Sequence, residues 1–333
     1  MRGNNVRNRE GGVRSVRLIA AVAFVALLAA PARAEIFPDH PVRVIIPFAP
    51  GGSIDTLGRI LTDKLSTLWG QSVFIENRAG AGGTVGSSVA AQAAPDGYTI
   101  VFGGQFMAAN VTIAPSANFD PVKSFAPVIL VATGQDALMV PADSPFHSVK
   151  EVVDYAKAHP GELTYASLGI GSSGQLASTL FSEVTGITLQ HVSYNSFSQA
   201  VTDVSAGRIS VWLTTLGGSI GHIQAGKLRA LAVSGPTRAA QLPDVPTFDE
   251  LGVAYGNDTS WYALFAPAGT PRAIIGKINA DTNTILADGD MKERATKLGF
   301  RLVGGSPEQL GAHLRSEIDK WAKVAKAAGL VPK

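Results

Sequence analysis

The sequence predicts an α/β fold built on largely parallel sheets. Three observations carry that prediction: strand and helix signals alternate from Pro41 onward, Gly and Pro gather at the joints between them, and 46% of the 333 residues are hydrophobic against 16% charged. Alternation of this kind lays helices on the faces of sheets. The apolar share is enough for a large core, and the length suggests about two domains.

Each element has its own signal. Val42-Arg43-Val44-Ile45-Ile46 is a β-branched run, and after the turn Pro47-Phe48-Ala49-Pro50-Gly51-Gly52 a helical period begins with Ile54, Leu57, Leu61, Leu65 and Leu68. Ser72 to Glu76 repeats the strand signal, Gly80-Ala81-Gly82-Gly83 makes a loop, and Thr84 to Ala94 is a small-residue helix stopped by Pro95-Asp96-Gly97. Tyr98 to Phe102 is a third strand. Ser148-Val149-Lys150-Glu151 is a capping-box pattern opening a helix that Pro160-Gly161 ends. Leu163 to Ser167 reads as a strand, followed by the loop Gly169-Ile170-Gly171-Ser172-Ser173-Gly174 and a helix through Val184. Strand signals return at Leu189 to Val192, Ile209 to Leu213, Leu228 to Ser234 and Trp261 to Ala266. Two C-terminal helices open at Thr270-Pro271 and Ser306-Pro307-Glu308-Gln309, where Pro at the first helical position supplies the right φ and forfeits only an orphan donor.

Residues 1–34 read as an export signal. Arg14 and Arg17 form a positive region, Leu18 to Ala30 is an uninterrupted apolar stretch too short to span a bilayer, and Ala32-Arg33-Ala34 fits cleavage after Ala34. Removing this segment takes away Arg2, Arg7, Arg9, Arg14, Arg17, Arg33 and Glu10, which turns a formal charge of +2 into −3. A chain with no basic excess and no Lys/Arg run is not built for nucleic acid or an anionic membrane. It also has no Cys, which excludes disulfides, zinc-thiolate sites and cysteine nucleophiles. Export without cysteine fits a bacterial periplasm.

The two Gly-rich strand-to-helix loops are the most informative features. Each sets backbone N–H groups at a helix N-terminus, where the macrodipole adds to them, so each can hold an anion without Arg or Lys. The alternative is that the glycines merely make tight turns. Two such loops more than a hundred residues apart suggest halves facing one another across a cleft. Asp55, three residues after Gly52, reads as a residue that orients the loop through its N–H groups rather than as a base.

Enzyme motifs are weaker. Gly169, Gly171 and Gly174 spell G-x-G-x-x-G, but Gln190-His191-Val192-Ser193-Tyr194-Asn195 supplies no acid for a ribose, so no dinucleotide cofactor is expected. Gly217, Ser219 and Gly221 spell G-x-S-x-G, but the one distant downstream histidine, His313, falls mid-helix, so the segment reads as a helix start after a strand, with an exported serine hydrolase using Ser219 as the alternative. The six histidines show no metal-ligand spacing, so neither a metal nor any other cofactor is expected.

At these loops the chain resembles the substrate-binding proteins of tripartite tricarboxylate transporters, the Bug-type periplasmic receptors. The resemblance runs through Phe37-Pro38-Asp39-His40-Pro41-Val42-Arg43, Pro47-Phe48-Ala49-Pro50-Gly51-Gly52-Ser53-Ile54-Asp55, Glu76-Asn77-Arg78-Ala79-Gly80-Ala81-Gly82-Gly83 and Pro95-Asp96-Gly97-Tyr98-Thr99. It continues through Phe119-Asp120-Pro121, Ala225-Gly226-Lys227-Leu228-Arg229-Ala230-Leu231-Ala232-Val233 and Ala266-Pro267-Ala268-Gly269-Thr270-Pro271. What the resemblance implies is a two-lobed type II periplasmic binding fold, with residues 35–130 and 260–333 as one lobe, 131–259 as the other, and crossovers near Val128 to Ala132 and Asp258 to Leu264. It also implies a non-enzymatic, monomeric receptor that captures a small organic carboxylate and delivers it to an integral-membrane permease, or alternatively presents it to a signalling protein.

By the same resemblance, main-chain groups of Phe48, Ala49, Pro50, Gly51, Gly52 and Ser53, oriented by Asp55, hold one carboxylate together with the segment Gly169 through Gln175. That segment contributes Gly169, Gly171, Ser172, Ser173, Gly174 and Gln175, beside Ser167, and the hydroxyls of Ser172 and Ser173 are candidate extra donors. Tyr194, Asn195 and Thr214 complete the expected site, with Phe48, Tyr194, Trp261 and Tyr262 as candidate cleft walls. Two departures bear on the ligand. Ser193-Tyr194-Asn195-Ser196 keeps only the tyrosine of a Pro-Tyr-x-Gly motif common in the family, and Thr214-Thr215 stands where amino-acid-binding members often carry an Asp. The expected ligand therefore has no buried amine: a dicarboxylate, a hydroxy acid or an aromatic acid.

Overall fold

The computed structural model describes residues 37–115, 117–256, 260–327 and 329–331. The export segment expected over residues 1–34 lies outside them, as does Asp258 at the expected start of the second crossover. The described residues from His40 onward form one unit.

Along the chain the elements are β1 (Val42–Ile46), α1 (Ser53–Trp69), β2 (Val73–Asn77), a 3-10 turn (Ala81–Gly83), α2 (Thr84–Ala91), β3 (Thr99–Gly104), α3 (Gln105–Ile113), β4 (Phe125–Gly134) and β5 (Asp136–Pro141). Then come α4 (Val149–Ala158), β6 (Thr164–Ser167), α5 (Ser173–Thr185), β7 (Gln190–Ser193), α6 (Phe197–Ser205), β8 (Trp212–Thr215), α7 (Leu216–Gln224) and β9 (Leu228–Val233). The chain ends with β10 (Ser260–Pro267), α8 (Arg272–Ala287), α9 (Gly289–Lys297), β11 (Phe300–Leu302) and α10 (Pro307–Ala327).

Local signals account for many of these. Ile54, Leu57, Leu61 and Leu65 form the buried stripe of α1, which ends on Gly70 in the left-handed conformation. Both hydrogen bonds of the Ser148/Glu151 capping box are present at α4. Pro307 is the first residue of α10, whereas Pro271 caps α8 from one position earlier than expected. No local sequence signal is assigned to α3, β4, β5, α6, α9 or β11. β5 is buried along its whole length and β4 along most of it. A continuous apolar run of this kind carries no period from which to assign it.

Six strands form one sheet in the order β11-β4-β10-β3-β1-β2, three form a second in the order β8-β5-β9, and β6 pairs with β7. Pairing is parallel for β1 with β2 and β3 and for β6 with β7. β10 is antiparallel to both β3 and β4, β11 to β4, and β5 to both β8 and β9. The antiparallel half has a topological cause. β4 carries the chain out of the large sheet toward β5 while β10 brings it back, so the two, side by side, must run in opposite directions. All eight residues of β10 are buried between these neighbours.

The passage from β4 to β5 is the single residue Gln135, and the return lies between Val233 and Ser260. A buried polar cluster ties the two passages together. Asp136 Oδ1 accepts from the hydroxyls of Ser260 (2.9 Å) and Thr215 (3.3 Å), while its main chain bonds Ser234 through both N–H and C=O. Among the described residues no helix is long and apolar enough to cross a membrane.

Candidate functional site

The loop between β1 and α1 is organised by one buried carboxylate. Asp55 Oδ2 accepts the Gly51 N–H at 3.0 Å and Arg59 Nε at 2.9 Å, and Oδ1 accepts Arg59 Nη2 and Asn77 Nδ2. Asn77 Nδ2 also donates to the Phe48 carbonyl at 2.9 Å, so both ends of the loop hang on this group. Burial alone works to raise the Asp55 pKa, but the bonds from Arg59, Asn77 and Gly51 together outweigh it and hold the carboxyl below its ordinary value. Gly51 itself sits at φ +96°, a conformation that L side chains rarely adopt.

The second loop, between β6 and α5, repeats the arrangement with a neutral group. Gln175 Oε1 accepts the Gly171 N–H at 3.2 Å, the same four-residue spacing as Asp55 to Gly51. In both loops the helix's first turn is thus anchored to the turn before it. The N–H groups of Ser53 and Ile54 on α1, and of Ser173 and Gly174 on α5, have no carbonyl partner inside their helices. All four residues line one cavity of about 60 Å³. Three further helix starts reach the same space: Gly104 caps α3, Phe197 opens α6 and Thr215 caps α7.

Hydroxyls and rings complete the wall. Ser53 Oγ accepts the Gly218 N–H at 2.7 Å and donates to the Thr215 carbonyl at 3.3 Å, joining the starts of α1 and α7. Ser167 Oγ accepts the Gly169 N–H and lies 2.6 Å from His191 Nε2. The His191 ring is stacked on Tyr165, and burial holds its pKa below the usual value, favouring the neutral imidazole. Burial pushes the Tyr262 phenol far above its usual range, so it stays a neutral donor; nearby hydroxyls of Thr215 and Ser53 counter this only in part. Among the described residues no Lys, Arg, Asp or Glu lines this cavity.

A second cavity of about 580 Å³ adjoins the first and shares Phe48 and Leu168 with it. Its other walls include Ala49, Ala79 to Ala81, Thr84, Gly169, Ile170, Tyr194 and Asn195. The Tyr194 hydroxyl is turned to Asp203 at 2.9 Å, so this residue offers its ring.

Of the residues expected from sequence, Phe48, Gly52, Ser53, Ser167, Ser172, Ser173, Gly174 and Thr214 surround the small cavity, and Phe48, Ala49, Gly169, Tyr194 and Asn195 the large one. Pro50, Gly51, Asp55, Gly171 and Gln175 line neither; the last four form the two loop anchors. The Ser172 hydroxyl donates to the Gly169 carbonyl at 2.7 Å and so serves the turn. Trp261 and Tyr262 also line the small cavity. Sequence reasoning missed Phe106, Leu168, Phe197, Trp212 and Thr215; the Gly103-Gly104 pair at the end of the third strand is the available signal for the α3 junction.

The G-x-S-x-G segment is the start of α7 directly after β8, with Ser219 already in the helix rather than in a turn before it. The Ser219 hydroxyl is fully buried with no hydrogen-bond partner, which is no place for a nucleophile. Among the described residues no group of three or more His, Cys, Asp or Glu is placed to hold a metal ion.

The profile of the tripartite tricarboxylate transporter family receptor matches residues 57–330. The chain belongs to this receptor family. It is 32% identical to protein BugT of Bordetella pertussis over 94% of this chain and 98% of that one. A Rhodopseudomonas palustris protein solved with adipate is 34% identical, with a TM-score of 0.86 over 89% of this chain and all of the other (100%). MatC from Rhodopseudomonas palustris, solved with bound malate, is 30% identical, with a TM-score of 0.82 over 86% of this chain and 99% of that one. Together with the periplasmic binding protein BugD, at 30% identity and a TM-score of 0.85, these neighbours give this family receptor the periplasmic binding protein fold.

Proposed function

We propose that this receptor binds a small organic carboxylate between two lobes, residues 35–130 with 260–333 and residues 131–259, and hands it to the integral-membrane permease of a tripartite tricarboxylate transporter. The observation that carries this reading is the small cavity, where helix starts converge and no charged side chain intrudes. Backbone N–H groups and hydroxyls in such a place stabilise one negative charge without a counter-ion. Relatives at 34% and 30% identity hold adipate and malate, which supports the same ligand class here. The protein acts in the periplasm as a monomer, after cleavage behind Ala34, and it transforms nothing. A closed form favoured by ligand is what the permease recognises.

The ligand carries no amine in the small cavity. Asp136 is the nearby buried carboxylate, but it stands behind Thr215 with Ser260 and Tyr255 on its oxygens. An amino acid that binds more tightly than its deaminated analogue in calorimetry contradicts this point.

Thermal unfolding against mono-, di- and tricarboxylates and amino acids tests the receptor reading. A ligand at a hundredfold excess over its dissociation constant adds about 2.7 kcal/mol and raises the midpoint by several degrees. The expected result is a shift by a carboxylate that is recovered chemically unchanged. No shift by any carboxylate, or turnover of the compound that binds, overturns it.

A further inference from the structure

Phe48 and Leu168 stand between the two cavities. Both are held in place. The Phe48 ring meets Phe106 edge-on at 5.0 Å, its carbonyl is tied to Asn77, and a side chain at Gly83 would come within 3.2 Å of it. Leu168 packs on a buried cluster of the smaller-sheet half of the molecule. They therefore form an apolar neck shared by the two cavities.

The volumes on either side are very different. About 60 Å³ holds on the order of four water-sized groups, enough for a carboxylate and one methylene, whereas a benzene ring needs a cavity of about 150 Å³. The outer space of about 580 Å³ takes a much larger body. A ligand with its carboxylate at the helix starts and more than about three carbons outgrows the small cavity, and the adjoining large space is reached past Phe48 and Leu168. Apolar walls there favour methylene over hydroxyl or charge at the threading position.

Resting on the carboxylate reading above, we propose that Phe48 and Leu168 determine specificity by admitting only carboxylates that are slender behind the head. The ligand class is a straight-chain aliphatic carboxylate with methylenes at its second and third carbons. The far end lies in the outer cavity among Thr84, Ser193 and Asn195, where size is tolerated. Aryl carboxylates and acids branched next to the carboxylate are excluded by shape.

Isothermal titration of the wild-type protein and of Leu168→Ala separates the outcomes. The probes are butyrate, glutarate, adipate and pimelate against benzoate, pivalate and 2,2-dimethylbutyrate. In the wild type the best straight-chain acid is expected to bind at least about a hundredfold more tightly than any wide-headed one, since a single misfitting methylene is worth about tenfold or more. Leu168→Ala is expected to narrow that ratio to about tenfold. A wide-headed acid binding the wild type as tightly as a straight chain overturns the neck while leaving the receptor intact. An unchanged ratio in a folded Leu168→Ala protein also overturns it, and failure of every carboxylate to bind overturns both readings.

Discussion

Asp55→Ala is expected to weaken carboxylate binding by at least about a hundredfold and to lower the unfolding midpoint by on the order of 4 °C. The carboxylate fixes the Gly51 N–H from one side and, through Asn77, the Phe48 carbonyl from the other. Without it the helix start that faces the ligand loses its position. Hydrogen bonds to a charged group contribute about 1.5–3 kcal/mol each, so two misplaced donors account for an affinity change of that size. The stability loss is smaller, about 2 kcal/mol, because the Arg59 guanidinium is half exposed and its ion pair is screened by water. Calorimetry and thermal unfolding read the two effects separately.

A pH dependence follows from the same group. The folded pKa of Asp55 lies below its ordinary value, so its contribution is present above the unfolded-state carboxylate range and is lost as pH falls through the lowered folded value. The acid limb of the wild-type stability curve is therefore expected to flatten in Asp55→Ala. Wild-type affinity in this variant would show that the loop does not hold the ligand.

The second large effect is expected at Gly82, where the loop after β2 meets the loop after β6. A β-carbon there would lie 1.9 Å from the Ile170 carbonyl oxygen and 3.2 Å from the Ser172 nitrogen, distances that no adjustment of one side chain relieves. Asn110 Nδ2 bonds the Gly82 carbonyl, and its Oδ1 is 2.1 Å from where a Gly171 β-carbon would stand, so both glycines are fitted to this approach. Gly82→Ala is expected to reduce ligand affinity at least about tenfold by raising the energy of the closed arrangement. With the two loops parted, as the proposed open form requires, the fold loses only about 1–2 kcal/mol, the cost of alanine at positive φ. Gly70→Ala is the control: φ is +62° there, with nothing within 4 Å of the added carbon. It should show the same stability loss with unchanged affinity, and equal affinities in the two variants would remove the contact from the account.

Much of this site was legible in the sequence because it is local. Gly51-Gly52 and the segment Gly169 to Gly174 mark strand-to-helix turns by composition alone, and Asp55 follows its glycines closely enough to be read as their anchor. The matching role of Gln175 was not read from its spacing, although the spacing was there. What could not be read is what distant residues build together. Asp136, Thr215 and Ser260 meet only because β4 and β10 run side by side where the chain crosses between sheets, and the small cavity's volume depends on how rings from α3, α6, β8, β10 and the Phe48 loop pack around the helix starts. The antiparallel half of the large sheet was hidden for the same reason, since strand direction is set by the crossovers and not by any local pattern.

The central claim is that a cavity free of charged side chains holds the carboxylate by backbone N–H groups and hydroxyls. A crystal structure of the complex with the best straight-chain acid from the titrations tests it most directly. The expected result is a carboxylate in the small cavity, within about 3 Å of N–H groups at the starts of α1 and α5, with no Arg or Lys touching it. A carboxylate paired with an arginine or lysine side chain, or seated anywhere other than the small cavity, would contradict the account.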